Sequence, residues 1–264
     1  MIPAPPTNDP RLLVMHTEEP VQPVRLYYSI SSKPVVTHAL AALRCMAQEP
    51  GGRVWQWLYQ YEAAAITFGV PYAEVPDEVQ PLIIGRVKFP DPKWMVVEVR
   101  SIQRAIEAAK FFGPILGDRV VLRRARLINR WFAGSEASGG LDRLDRLLDA
   151  NVVVIDPAKT EAELDRLMAK FSTKREKRAA WEAYHEARRR EDVPLVEDFP
   201  LAPEEETPEF RDLNMTLMFR AIHAWEHWRG NKDLTLGDII HRTIEDGFAK
   251  GAFDDIALPV VQDD

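Results

Sequence analysis

The 264-residue chain is long enough for one large domain or two ordinary ones, and its 46% hydrophobic and 28% charged residues exclude global disorder. One cysteine, Cys45, excludes an intrachain disulfide and a cysteine-based zinc cage, and a net charge of -7 argues against wholesale coating of nucleic acid. No apolar run approaches the ~20 residues that span a bilayer, and the start lacks the basic and apolar regions of a signal peptide, so a cytoplasmic location is expected.

Residues 1–23 carry six prolines and read as an extended, disordered arm. Val24 to Ile30 is rich in β-branched and aromatic residues and predicts a strand. Pro34 suits the first turn of a helix running to about Gln48, which places Cys45 among helical apolar neighbours. Arg53 to Tyr61 predicts a long strand with Trp55, Trp57, Tyr59 and Tyr61 on one side. Such a row is either a base-stacking platform or a sheet face packed under a helix, and packing is the commoner use. Leu82–Phe89 and Trp94–Arg100 form a predicted hairpin around Pro90-Asp91-Pro92-Lys93. Ser101 caps a helix with Ile102, Ile106, Ala109 and Phe112 at helical spacing, its end weakened by Gly113-Pro114.

Arg119 to Phe132 reads as an amphipathic helix, and GSEASGG (134–140) as a flexible break. Leu141–Asp149 predicts a short helix and Val152–Ile155 a buried strand. Beyond Asp156-Pro157 every apolar pattern is helical. Thr160 with Glu163 and Thr173 with Glu176 are capping boxes opening two helices. An acidic connector, 191–212, leads to two last helices, about 208–229 and 236–250. These elements predict an α+β chain: an antiparallel-rich sheet with flanking helices over 24–156, and a helical region over 157–264. The order helix, three strands, helix over 34–116 is similar to the topology of double-stranded-RNA-binding domains. Where those carry paired lysines at the second helix start, this chain has Ile102 and Gln103.

Gly-rich phosphate loops and the G-x-S-x-G elbow are absent, which lowers nucleotide-dependent and serine-hydrolase chemistry. Two constellations remain. Arg119, Arg123, Arg126 and Arg130 fall at i, i+4, i+7 and i+11, one face of a helix. The window 86–130, with Arg104, holds eleven basic residues against four acidic ones. Guanidinium forks at this density suit an anionic macromolecule, nucleic acid or acidic protein. They equally suit a solvated face, or pairing with the connector, whose nine acids face only Arg211. Residues 170–190 are also basic, with glutamates at helical spacing that suit a solvated face.

The second constellation is His223-Ala-Trp-Glu226-His227, which matches the inverted zinc-hydrolase pattern. Two histidines one turn apart can share a metal whose water a glutamate activates. His241 and Glu245 on the last helix are the candidate further ligands. The preferred expectation is a non-enzymatic binding protein that needs no cofactor and uses the 86–130 surface. The alternative is a zinc-binding protein or metal-dependent hydrolase.

Overall fold

The structure, a computed structural model, describes residues 9–201 and 209–249. It contains strands β1 (Val24–Ile30), β2 (Met46–Gln48), β3 (Val54–Leu58), β4 (Ile83–Asp91), β5 (Trp94–Val99), β6 (Val120–Ile128), β7 (Val153–Val154) and β8 (Val196–Pro200). Its helices are α1 (Lys33–Ala41), α2 (Ile102–Leu116), α3 (Leu141–Leu147), α4 (Pro157–Met168), α5 (Lys174–Arg189), α6 (Glu209–Trp228) and α7 (Leu236–Ala249). The eight strands form one sheet in the order β2-β3-β4-β5-β1-β6-β8-β7, antiparallel except between β7 and β8. Among the described residues no helix is long and apolar enough to cross a membrane.

Alternation in the strands decides which face is buried. Val24, Leu26 and Tyr28 of β1, Met95, Val97 and Val99 of β5, and Ala125 and Leu127 of β6 enter one core. Helix α2 lies over that face through Ala105, Ala108, Phe112 and Leu116, and α6 joins it through Leu213 and Leu217. Trp57 is fully buried, with the rings of Phe111 and Phe112 each 5.1 Å away. Gly85 lies under it, where a Cβ would stand 3.1 Å from the indole; that close approach explains a glycine inside a strand. The predicted aromatic row is therefore core for Trp55 and Trp57 of β3 and for Tyr59 just beyond its end, while Tyr61, at φ 50° in the following turn, is half exposed.

The α+β class holds, but the division into a sheet half and a helical half does not. Strand β8 rises from the acidic connector and completes the sheet beside β6, so the chain beyond 156 helps build it. Its sequence, VEDFP, is short, and its charges hid the pattern. Likewise the helix after Pro34 ends at Ala41, and the chain turns at Cys45 to enter β2. Cys45 is buried there; burial first, and the Glu62 carboxylate beside it, push the thiol up to about 12, so it stays an unreactive thiol. The predicted buried strand 152–155 is an edge instead, with Val153 and Val154 exposed. Between α1 and α2 lie four strands, not three, and β1 and β6 extend the sheet past β5, a departure from the RNA-binding topology.

Residues 119–132 are not a helix: Val120–Ile128 forms strand β6, and Arg119 ends the turn before it. Val120 and Leu122 alternate normally, as do Ala125 and Leu127, but one extra residue separates the pairs. The register opposite β1 shifts at that point, between Tyr27 and Tyr28. A β-bulge inserted into a two-residue period leaves apolar spacings that imitate a helical one. The arginines consequently do not share a helical face.

The proline-rich start also differs from its reading. Residues 1–8 lie outside the described residues, but from Asp9 onward the segment packs on the domain. Leu12, Met15 and Val21 are buried, and the Leu13 backbone donates to the Phe132 carbonyl and accepts from the Val21 N–H.

Candidate functional site

The face of the sheet opposite α2 is polar. Arg25, Arg86, Lys88, Arg100, Arg124 and Arg126 stand on it, and helix α3 lies across them. Asp198 of β8 takes both Arg124 and Arg126, the latter at 2.8 Å. Asp149 takes Arg25 at 2.5 Å and Arg126 at 3.2 Å. Glu98 bridges Arg25 and Lys88, Asp142 bridges Arg86 and Arg100, Asp145 meets Arg100 at 2.7 Å, and Glu49 lies 3.6 Å from Arg86. Six cations thus meet six carboxylates. Arg124 also stacks 3.8 Å over the Tyr27 ring, and hydrogen bonds from Arg86 to Asp142 and from Arg25 to Asp149 hold both carboxyls below their ordinary range.

The predicted anion-binding residues are therefore dispersed. Arg119 is exposed in the turn before β6, and Arg123 donates to Ser29 at 3.0 Å. Arg126 belongs to the network above, and Arg130 pairs with Glu136 at 2.8 Å. Arg104 lies inside the protein at 1% exposure. It donates to Glu19 at 2.8 Å, to Thr17 at 2.7 Å and to the Ile83 carbonyl at 3.4 Å. Burial draws its guanidinium below the ordinary value, and Glu19 opposes that. Of the connector's acids, Glu197 and Asp198 lie on Arg220 and on the arginines of β6, and Glu191 pairs with Arg188 at 2.9 Å. Glu204, Glu205 and Glu206 lie outside the described residues.

The four candidate metal ligands fall into two separate pairs. His223 and His227 stack with ring centres 3.9 Å apart, and the His227 Nε2 lies 2.8 Å from the Leu234 carbonyl. His241 pairs with Glu245 at 3.1 Å along α7. Glu226, the acid of the inverted pattern, accepts from Asn231 in the loop. Among the described residues no group of three or more His, Cys, Asp or Glu side chains is placed to hold a metal ion. His223 is 4% exposed and its Nδ1 has no hydrogen-bond partner among the described residues; burial and the neighbouring His227 lower its pKa to about 4.

A capacious concavity lies elsewhere, where the N-terminal segment, the start of α2 and helix α6 meet. It holds about 380 Å³. Ile102 and Ile106 of α2, Met218 and Ala221 of α6, and Trp131 make it largely apolar. Its N-terminal wall is the turn Thr17-Glu18-Glu19-Pro20, in which Glu18 adopts φ 70°. That turn is pinned from beneath by the buried Glu19–Arg104 pair and by Ser101, whose hydroxyl caps α2 by accepting the Arg104 N–H. Trp131 is fixed by its own indole N–H, which donates to Gln22 at 3.2 Å, while Gln22 donates to the Ile128 carbonyl. Asn214, half-buried on α6, completes the wall, and its side-chain amide makes no hydrogen bond to another described residue. Sequence reasoning overlooked this site because two of its walls lie in segments read as an arm and as a helix. The available signal was Thr17-Glu18-Glu19-Pro20, a turn sequence following the apolar Leu12, Leu13 and Met15.

No protein-family model, curated protein or solved structure matches the chain.

Proposed function

We propose that the chain is a non-enzymatic binding protein that holds a small, mostly apolar organic molecule in the pocket between α2, α6 and the Thr17–Gln22 segment. The carrying observation is a pre-formed apolar concavity of about 380 Å³ whose polar contacts narrow to few groups. Ligand sites of this kind span roughly 300–1,000 Å³ and use a handful of polar groups to orient an apolar body. Trp131, locked by Gln22, supplies a rigid aromatic wall. Asn214 offers an amide donor and an acceptor to a polar group on the ligand.

An anionic macromolecule on the 86–130 surface is a second reading, and it requires the carboxylates of Asp142, Asp145, Asp149 and Asp198 to be displaced. The zinc reading requires His241 and Glu245 to approach His223 and His227, with which they form no metal-holding group among the described residues. The pocket requires no rearrangement.

A fragment library screened by ligand-observed NMR tests the proposal, with Ala221→Trp as the control whose new side chain fills the cavity. Fragments that bind the wild type and are lost in a folded Ala221→Trp protein support it. A library with no binder, or binders unaffected by the substitution, would overturn it.

A further inference from the structure

Helices α4 and α5 pack against each other as a hairpin. None of their residues is buried. The two helices turn Leu164, Leu167 and Met168 of α4 and Ala180 and Tyr184 of α5 out of full exposure, and Arg188 of α5 reaches Thr160 of α4 at 3.1 Å. The base is fixed where Arg189 meets Asp238 and where the Thr235 hydroxyl donates to the Arg189 carbonyl at 2.6 Å. At Gly237 a Cβ would lie 2.6 Å from the Arg189 backbone, so the contact with α7 is close.

The outward side of α5 has a distinct composition. Lys174, Arg178, Trp181 and His185 recur at i, i+4, i+7 and i+11, one stripe about 17 Å long at 1.5 Å per residue. Lys177 flanks the stripe on one side, and Glu182 and Glu186 on the other. Trp181 is 49% exposed and stacks on His185 with ring centres 4.1 Å apart. Between 170 and 190 there are eight basic residues against three glutamates, in a chain whose net charge is -7. Arg178 pairs with Glu182, but both side chains are more than half exposed, so water screens the pair and a polyanion competes for the arginine.

From this stripe we propose that α5 is a docking surface for single-stranded nucleic acid, with Lys177 and Arg178 on phosphates and the Trp181–His185 pair as the base-stacking platform. An exposed indole beside cations is the arrangement that holds single strands without sequence preference, because every base has a π-face. A membrane surface fits less well. Interfacial helices present a broad apolar side, whereas here Leu164, Leu167 and Met168 are turned into the hairpin. This inference is independent of the pocket.

The test is fluorescence anisotropy of labelled short oligo(dT) and oligo(rU) with the full chain at two salt concentrations, beside a duplex of equal length and anionic phosphatidylserine vesicles. Trp181→Ala should weaken single-strand binding roughly tenfold. The double reversal Lys177→Glu, Arg178→Glu should weaken it further and flatten its salt dependence by about 0.7 for each phosphate no longer held. Because these side chains are exposed, circular dichroism should show both variants folded. Failure of the wild type to bind single strands at about 50 mM salt would overturn the inference. So would unchanged affinity in both variants, duplex binding that is as tight and indifferent to Trp181, or binding to vesicles alone.

Discussion

Substituting His223 by Phe should remove a defined part of the protein's acid sensitivity. His223 sits on α6, the helix that carries Asn214, Met218 and Ala221 of the pocket, with His227, Glu197, Arg220 and Asp192 the charged or titratable groups around it. In the folded protein its pKa lies at about 4, against about 6.5 for an unperturbed histidine. The folded pKa is the lower one, so between those values the unfolded chain binds more protons, and stability falls as pH falls from 6.5 toward 4. The gap corresponds to about 3 kcal/mol when fully expressed, at about 1.4 kcal/mol per unit. Between pH ~7.5 and ~5 it amounts to about 2 kcal/mol, because at the lower value the unfolded histidine is almost wholly charged and the folded one almost wholly neutral. Phe cannot charge, so His223→Phe should lose about 2 kcal/mol less than the wild type across that interval. Urea unfolding of both proteins at the two pH values measures the difference, and carboxylate titrations common to both cancel. Parallel losses in the two proteins would refute the buried, neutral state assigned to His223.

Two further outcomes follow from the charge networks. Glu19→Ala strands the Arg104 guanidinium at 1% exposure and should cost about 3–5 kcal/mol in denaturant unfolding. The joint replacement Glu19→Leu with Arg104→Met should cost much less, and equal costs would contradict the pairing. Asp198→Asn removes the carboxylate shared by Arg124 and Arg126, so the protein should elute from heparin at higher salt than the wild type. Unchanged elution would mean that these arginines are neutralised by something other than Asp198.

Much of the architecture was legible because local chemistry and packing agree. Val24–Ile30 forms the predicted strand, the hairpin around Pro92-Lys93 is present, and Ser101 caps α2 as its sequence indicates. Thr173 and Glu176 form both halves of their capping box, whereas Asp156 rather than Thr160 caps α4, with Thr160 inside the helix. The misreadings have a common cause: long-range pairing outweighed a local pattern. The bulge opposite Tyr27 gave β6 a helical-looking period, and only pairing with β1 reveals it. Glu197 and Asp198 look like solvated connector residues, yet each is 1% exposed because Arg220, Arg124 and Arg126 meet them. That the acidic connector could lie against the arginines was open in the sequence, but which acid meets which base was not. The pocket was least legible. Gln22, Trp131 and Asn214 are widely separated along the chain, and only the tertiary fold brings them to one pocket.

Calorimetric titration of the tightest fragment tests most directly whether the pocket is a binding site. The wild type should bind one molecule per chain with a negative heat-capacity change, the mark of apolar surface leaving water. Asn214→Leu should weaken it and Ala221→Trp abolish it. Identical heats from all three proteins would contradict the central claim.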